Sequence, residues 1–364
     1  MRRPILSLLL LAAAAGCGSG QGQDDDDPIR PDADLLAPDA NPATPLTAPD
    51  GVWTWVDLPG AVCANGSPAS VAVNLQRGSD ELLVYFEGGG GCFDANSCFE
   101  LRSAARIDAD ITGAEKNNLV LGLSLAPMLA RDDGANPLRA ASHAYVPYCT
   151  GDLHSGDATQ VYTHEGIDHT VRHHGGVNAQ LTIDALAATL PAIDRIWNMG
   201  SSAGGYGATL NHHRFAAAWP AAEVHLLADC APMLEPITNP LADYALWQSR
   251  WNMTLPPGCD GCETSFSAVI DAVAAGHPSS RIGLLAYDED AVIKAFFGYG
   301  ALAAPLGDLI DDHYEGTNRH AFVLSSDKHV MLGEYEAITQ PGGPTLRAWV
   351  EAWAVGDASW AAQP

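Results

Sequence analysis

The 364-residue sequence predicts one α/β domain over residues 51–364, with a mostly parallel central sheet and helices on both faces. Short β-branched apolar runs alternate with amphipathic helical segments, the order that builds a parallel sheet. A serine pair boxed by glycines, Ser201 and Ser202, sits where one apolar run meets a helical segment. No Pro/Gly linker and no internal repeat divides the chain after residue 51, so one domain is expected despite a length that could hold two.

Ahead of the domain, residues 1–16 place two arginines before an apolar run and small residues, the pattern of an export signal too short for a comfortable membrane span. Small residues directly before Cys17 match a bacterial lipobox. Cys17 is therefore the expected lipidation site, and the chain an expected cell-envelope lipoprotein of the outer membrane or cell surface, held to the membrane by that anchor alone. Residues 17–50 carry eight Asp against one Arg among Gly and Pro, and have little to bury. They are expected to form a disordered acidic linker, since the run lacks the spaced ligands of a calcium loop. A net charge of -26 argues against nucleic acid as a partner, because phosphate binding needs a basic footprint.

Within the domain, strands are expected at 52–56, 70–75, 81–89 and 143–149, each an apolar run closed by turn-forming residues. A helix over 178–194 follows, then strand 195–200, helix 203–218, strand 223–230, helix 265–276 and strand 281–290. A helical region over 291–314, a strand from 320 and a closing helix over 345–355 complete the order. Eight cysteines in an exported chain imply disulfides. Cys92 with Cys98 and Cys259 with Cys262 are spaced to close small loops, Cys63 and Cys149 to make a longer link, and Cys230 is left over. Spacing does not fix this connectivity. The CDGC at 259–262 has no second CxxC partner for zinc and no βαβ context for redox chemistry, so a structural disulfide is expected there.

Gly200-Ser201-Ser202-Ala203-Gly204 satisfies G-x-S-x-G between an expected strand and helix, the setting of a nucleophile elbow whose middle serine is Ser202. A glycine-rich helix start with an ordinary capping serine is the competing interpretation. In such an elbow fold an acid and then a histidine follow the serine, each beyond the carboxyl end of a strand. The strand over 281–287 delivers Asp288, Glu289 and Asp290, and the next delivers Asp327 and His329. His313 and His320 are the other histidines nearby. The four glycines at 88–91 follow an early strand, where exposed N–H groups suit a developing oxyanion. No Walker or dinucleotide pattern makes them a phosphate loop.

The segments EGGGGCFDANSC, VPYCTGD, GSSAGGYG and YDED occur in the order seen in the pectin acetylesterase and Notum family, which the chain resembles from about residue 51 onward. The resemblance implies an α/β-hydrolase-like fold with Ser202 as nucleophile, Asp288 as carboxylate and His329 as base. It also implies an oxyanion hole from the N–H groups of Gly89, Gly90 and Ala203. The expected function is an exported serine esterase for O-acyl, chiefly O-acetyl, esters on carbohydrate or another substrate, working as a monomer without metal or cofactor. Two alternatives differ in class: a non-catalytic surface-binding protein on a hydrolase scaffold, and a metal hydrolase using His169, His173 and His174, the first two at helical spacing.

Overall fold

The computed structural model describes residues 43–363. The expected export signal, the expected lipidation site Cys17 and the expected linker up to residue 42 lie outside the described residues. Residues 43–50, expected as the end of that linker, instead pack on the domain. Leu46 and Ala48 are buried, the Leu46 N–H donates to Thr189 Oγ1 at 2.7 Å, and Asp50 pairs with Arg77.

The strands are β1 (Thr54–Val62), β2 (Pro68–Asn74), β3 (Glu81–Phe86), β4 (Ser142–Val146), β5 (Ala158–His164), β6 (Ile167–His173), β7 (Arg195–Ser201), β8 (Glu223–Asp229), β9 (Ile282–Tyr287) and β10 (Arg319–Leu324). Eight of them form one sheet in the order β1-β2-β4-β3-β7-β8-β9-β10. All neighbours from β4 to β10 run parallel, while β1 and β2, and β2 and β4, are antiparallel. The helices are α1 (Gly113–Leu125), α2 (Gly175–Thr189), α3 (Ala203–Ala218), α4 (Tyr244–Trp251), α5 (Ala268–Gly276), α6 (Ala291–Phe297), α7 (Ala303–His313) and α8 (Leu346–Val355).

Strand side chains alternate between faces, so one strand feeds two cores. Leu82, Val84 and Phe86 of β3 join the core built with α2, α3 and α5, whereas Leu83 joins Trp197, Met199 and the α8 residues Trp349 and Trp353 on the other face. Strands buried on both faces lose the polar alternation of a surface sheet, which is why they read as continuous apolar runs. The chain leaves β3 towards β4 and later returns on its other side as β7. Ligands of open parallel sheets bind at such a switch, beyond the carboxyl ends of the strands.

Several elements depart from the expected order, among them helix α4 (Tyr244–Trp251), which no expected element covers. The antiparallel hairpin β5–β6 turns at Glu165 and Gly166, both with positive φ, and its strands are largely polar and exposed. Helix α1 buries only Leu123, so its sequence carries no apolar stripe. The helical region over 291–314 breaks at Gly298, which caps α6 in the left-handed conformation.

Candidate active site

Strand β7 ends at Ser201 and helix α3 begins at Ala203, which leaves Ser202 alone on the turn with φ 54° and ψ −128°. A side chain rarely adopts such angles, and the surroundings must hold them. The Ser202 N–H donates to the Asp229 carbonyl at 2.8 Å, and the Ser202 carbonyl accepts from Gly205 N–H at 2.8 Å and Tyr206 N–H at 3.2 Å. The neighbouring glycines leave room for this turn. A Cβ on Gly204 would stand 2.0 Å from the Phe86 carbonyl oxygen, and one on Gly88 would stand 2.6 Å from the Ser201 oxygen and 3.0 Å from Ser202 Cβ. Ser202 is thus no ordinary capping serine, and makes no side-chain cap bond to α3.

His329 lies beyond β10, and its Nδ1–H donates to Asp290 Oδ2 at 2.7 Å. Asp290 is 1% exposed, and its other oxygen accepts the N–H groups of Val292 at 2.9 Å and Ile293 at 3.0 Å, capping α6. The carboxylate beside the histidine is therefore Asp290 and not Asp288. The reason is register: Asp288 directly follows β9, and its N–H still continues the ladder to the Leu324 carbonyl at 3.0 Å. Only after two more residues has the chain turned into α6 and brought a carboxylate to the imidazole. Glu289 pairs with Lys294 at 2.6 Å. The sequence held a signal for Asp290, an Asp immediately before a helix-forming run, which is a preferred N-cap.

The glycine run leaves β3 under a half-buried frame that the sequence did not reveal. Arg106 Nη1 and Nη2 clasp the two Glu87 oxygens at 2.7 and 2.9 Å, and Arg106 Nε reaches Glu115 at 2.6 Å. Glu87 also accepts the Tyr148 N–H at 2.8 Å, while the Tyr148 hydroxyl donates to the Gly90 carbonyl at 2.7 Å. His154 Nε2–H donates to the Glu87 carbonyl at 2.8 Å; burial lowers this imidazole to about 4, so it is neutral here. Disulfide Cys92–Cys98 closes the loop beyond the glycines. The other disulfides are Cys63–Cys149 and Cys259–Cys262, and Cys230 is free and buried.

Gly89, Gly90, Ser202, Ala203 and His329 all line one cavity of about 470 Å³. Leu153, Tyr206, Val292, Ile293, Phe296 and Phe297 make most of its remaining wall. His329 Nε2 is buried without a hydrogen-bond partner among the described residues, which leaves it as the ring atom able to take a proton. Ala203 opens α3, where helix geometry leaves the first amides without an intrahelical acceptor. By contrast, His169, His173 and His174 do not converge. The first two lie in β6 rather than a helix, His169 stacks on Phe99, His173 bonds Tyr162 and Thr150, and His174 bonds Thr159.

The profile of a family described as Pectinacetylesterase matches residues 53–238, just over half of the chain. Among curated proteins, the palmitoleoyl-protein carboxylesterase NOTUM of Homo sapiens is 28% identical over 180 residues, 48% of this chain and 34% of that protein. The inactive palmitoleoyl-protein carboxylesterase notum1b of Danio rerio is 29% identical over 107 residues, 29% of this chain and 73% of that one. The chain thus spans about a third of the length of the human relative it matches. Among solved structures, the Wnt deacylase Notum from Drosophila shares the fold with a TM-score of 0.63 at 19% identity, covering 84% of this chain and 93% of that chain.

Proposed function

The chain belongs to the pectinacetylesterase family, and from that premise we propose that it is an exported carboxylic-ester hydrolase that cleaves O-acyl esters through an acyl-enzyme on Ser202. The observation that carries this is the strained Ser202 turn sharing one cavity with a histidine whose Nδ1 is held by a buried carboxylate. His329 Nε2 takes the Ser202 hydroxyl proton as Oγ attacks the ester carbonyl, and Asp290 fixes the tautomer that leaves Nε2 free. The oxyanion is met by the N–H groups of Ala203, Gly89 and Gly90. His329 then returns the proton to the departing alcohol, and a water attacks the acyl-serine by the same route in reverse to release the acid.

An O-acetyl ester on carbohydrate is the first substrate to test. The cavity wall favours a second choice within the same class, a longer acyl chain, because it is aromatic and aliphatic and offers more apolar space than an acetyl group fills. Three disulfides support export to an oxidising compartment. Attachment there rests on Cys17, and no described helix is long and apolar enough to cross a membrane. A series of p-nitrophenyl esters of rising chain length, with acetylated xylan and pectin, tests class and substrate together. Wild type hydrolyses the esters and Ser202→Ala does not. Equal rates for the two, with both folded, would reject the proposal.

A further inference from the structure

The end of β8 carries an assembly that acyl transfer as described does not use. Asp229 is fully buried, and its carboxylate is met by donors from two directions. From the elbow, Ser201 Oγ–H donates to Oδ2 at 2.5 Å, and Ser201 itself accepts from the Tyr85 hydroxyl at 2.7 Å. From the other side, the Met331 N–H donates to Oδ1 at 2.8 Å and the Leu332 N–H to Oδ2 at 3.1 Å. One residue along, Cys230 Sγ accepts the Val330 N–H at 3.2 Å, and the Asp229 carbonyl accepts the Ser202 N–H at 2.8 Å. Two adjacent residues therefore hold the elbow and the three consecutive amides that directly follow His329.

The backbone amides around this carboxylate favour its anion. Backbone amides only donate, and Ser201, already accepting from Tyr85, spends its proton on Asp229. The two amides thus suit the ionised form, while the Ser201 oxygen keeps a lone pair that can meet a carboxyl proton. Burial raises the Asp229 carboxyl, against which the hydrogen bonds and the charge of His329 lower it. An anion at Asp229 would stabilise the positive charge that general-base catalysis develops on the imidazole.

We propose that Asp229 is a second carboxylate of the site, a positioning residue that ties the His329 loop to the nucleophile elbow and supports the imidazolium formed during turnover. It rests on His329 acting as the base for Ser202. Ser201 accordingly has a purpose beyond filling a turn, since it passes the Tyr85 hydrogen bond to that anion.

Kinetics across pH with a p-nitrophenyl ester test it. The titratable groups gathered around His329 are Asp290 before α6, Asp229 and Cys230 at the end of β8, Tyr287 at the end of β9, and Lys328 paired with Glu334 in its own loop. Only Asp229 is changed in the decisive variant. Asp229→Asn lowers kcat about 10- to 100-fold, the usual effect of losing an outer partner of a reactive group, with KM little altered. It also moves the acid limb of kcat/KM to lower pH by about half to one unit, because the neutral base no longer has an anion favouring its protonation. Ser201→Ala keeps the anion but removes one of its donors, so it loses activity only several-fold and its acid limb moves slightly upward. An unmoved limb in folded Asp229→Asn overturns the proposal, whatever happens to the melting temperature. If Asp229→Asn does not fold, an unmoved limb in Ser201→Ala does so. Ser202→Ala, run alongside, separates the two levels: its retained activity would sink the acyl-enzyme mechanism itself, whereas its inactivity with unmoved limbs would sink only the role of Asp229.

Discussion

Asp290 serves two ends with one carboxyl group, closing the first turn of α6 with one oxygen and holding the imidazole of His329 with the other. A carboxylate fixed at a helix start has little freedom, which suits a group whose task is to orient another. The proposed mechanism then expects Asp290→Asn to lower kcat by about 10⁴-fold, because an amide would set the wrong histidine tautomer. Asp288→Asn and Asp327→Asn should each cost less than about tenfold, since neither side chain is hydrogen bonded to His329. Steady-state hydrolysis of p-nitrophenyl acetate by the three variants checks this, and the reverse ranking would restore Asp288. At this scale the sequence narrowed the acid to three neighbours, Asp288, Glu289 and Asp290. It could not choose among them, because the choice depends on how far the β9 ladder runs before the chain turns.

The strand, turn and helix around Ser202 were legible because the constraint there is steric and local. Small residues at 200, 203 and 204 are what a tight strand-to-helix turn needs, and they show in the sequence directly. Helix α1 and the β5–β6 hairpin were not legible, because neither buries a regular apolar face. The frame of Arg106, Glu87 and Tyr148 was hidden for another reason: its members are 19 and 61 residues from Glu87 in sequence and meet only in the fold. Long-range ties of this kind include the disulfide Cys63–Cys149, which joins the end of β1 to the segment after β4 across a separation of 86 residues. Closing a loop of that size restricts the unfolded chain, a stabilisation of about 4.6 kcal/mol in the chain-entropy description. Replacing both cysteines by serine should therefore lower the denaturation midpoint markedly while leaving turnover at low temperature close to wild type. An unchanged midpoint would show that the link contributes little.

Across the whole molecule, the sheet places the residues of the proposed site beyond the carboxyl ends of its parallel strands. The glycine run follows β3, Ser202 follows β7, Asp290 follows β9 and His329 follows β10. Both sheets also bury histidines, and these should set the acid limit of stability. Burial lowers His143 and His173 to about 4 and His225 to about 3, so each is neutral when folded and takes up a proton near pH 6.5 when unfolded. A depressed histidine contributes stability that is full above pH 6.5 and is lost as pH falls towards the folded value, by up to about 1.4 kcal/mol per pH unit for each. The raised carboxyls of Asp152 and Asp229 oppose this at lower pH, since they hold protons more readily when folded. Urea midpoints should therefore drop between pH 7 and pH 5, and a flat profile would contradict the burial of these rings. A nucleophilic Ser202 is read out by mass spectrometry of the protein after reaction with a serine-reactive fluorophosphonate. One adduct is expected, on the peptide carrying Ser202, absent from Ser202→Ala, retained in Ser201→Ala and strongly slowed in His329→Ala. An adduct that persists in Ser202→Ala, or none at all from an enzyme that still hydrolyses esters, would contradict Ser202 as the nucleophile.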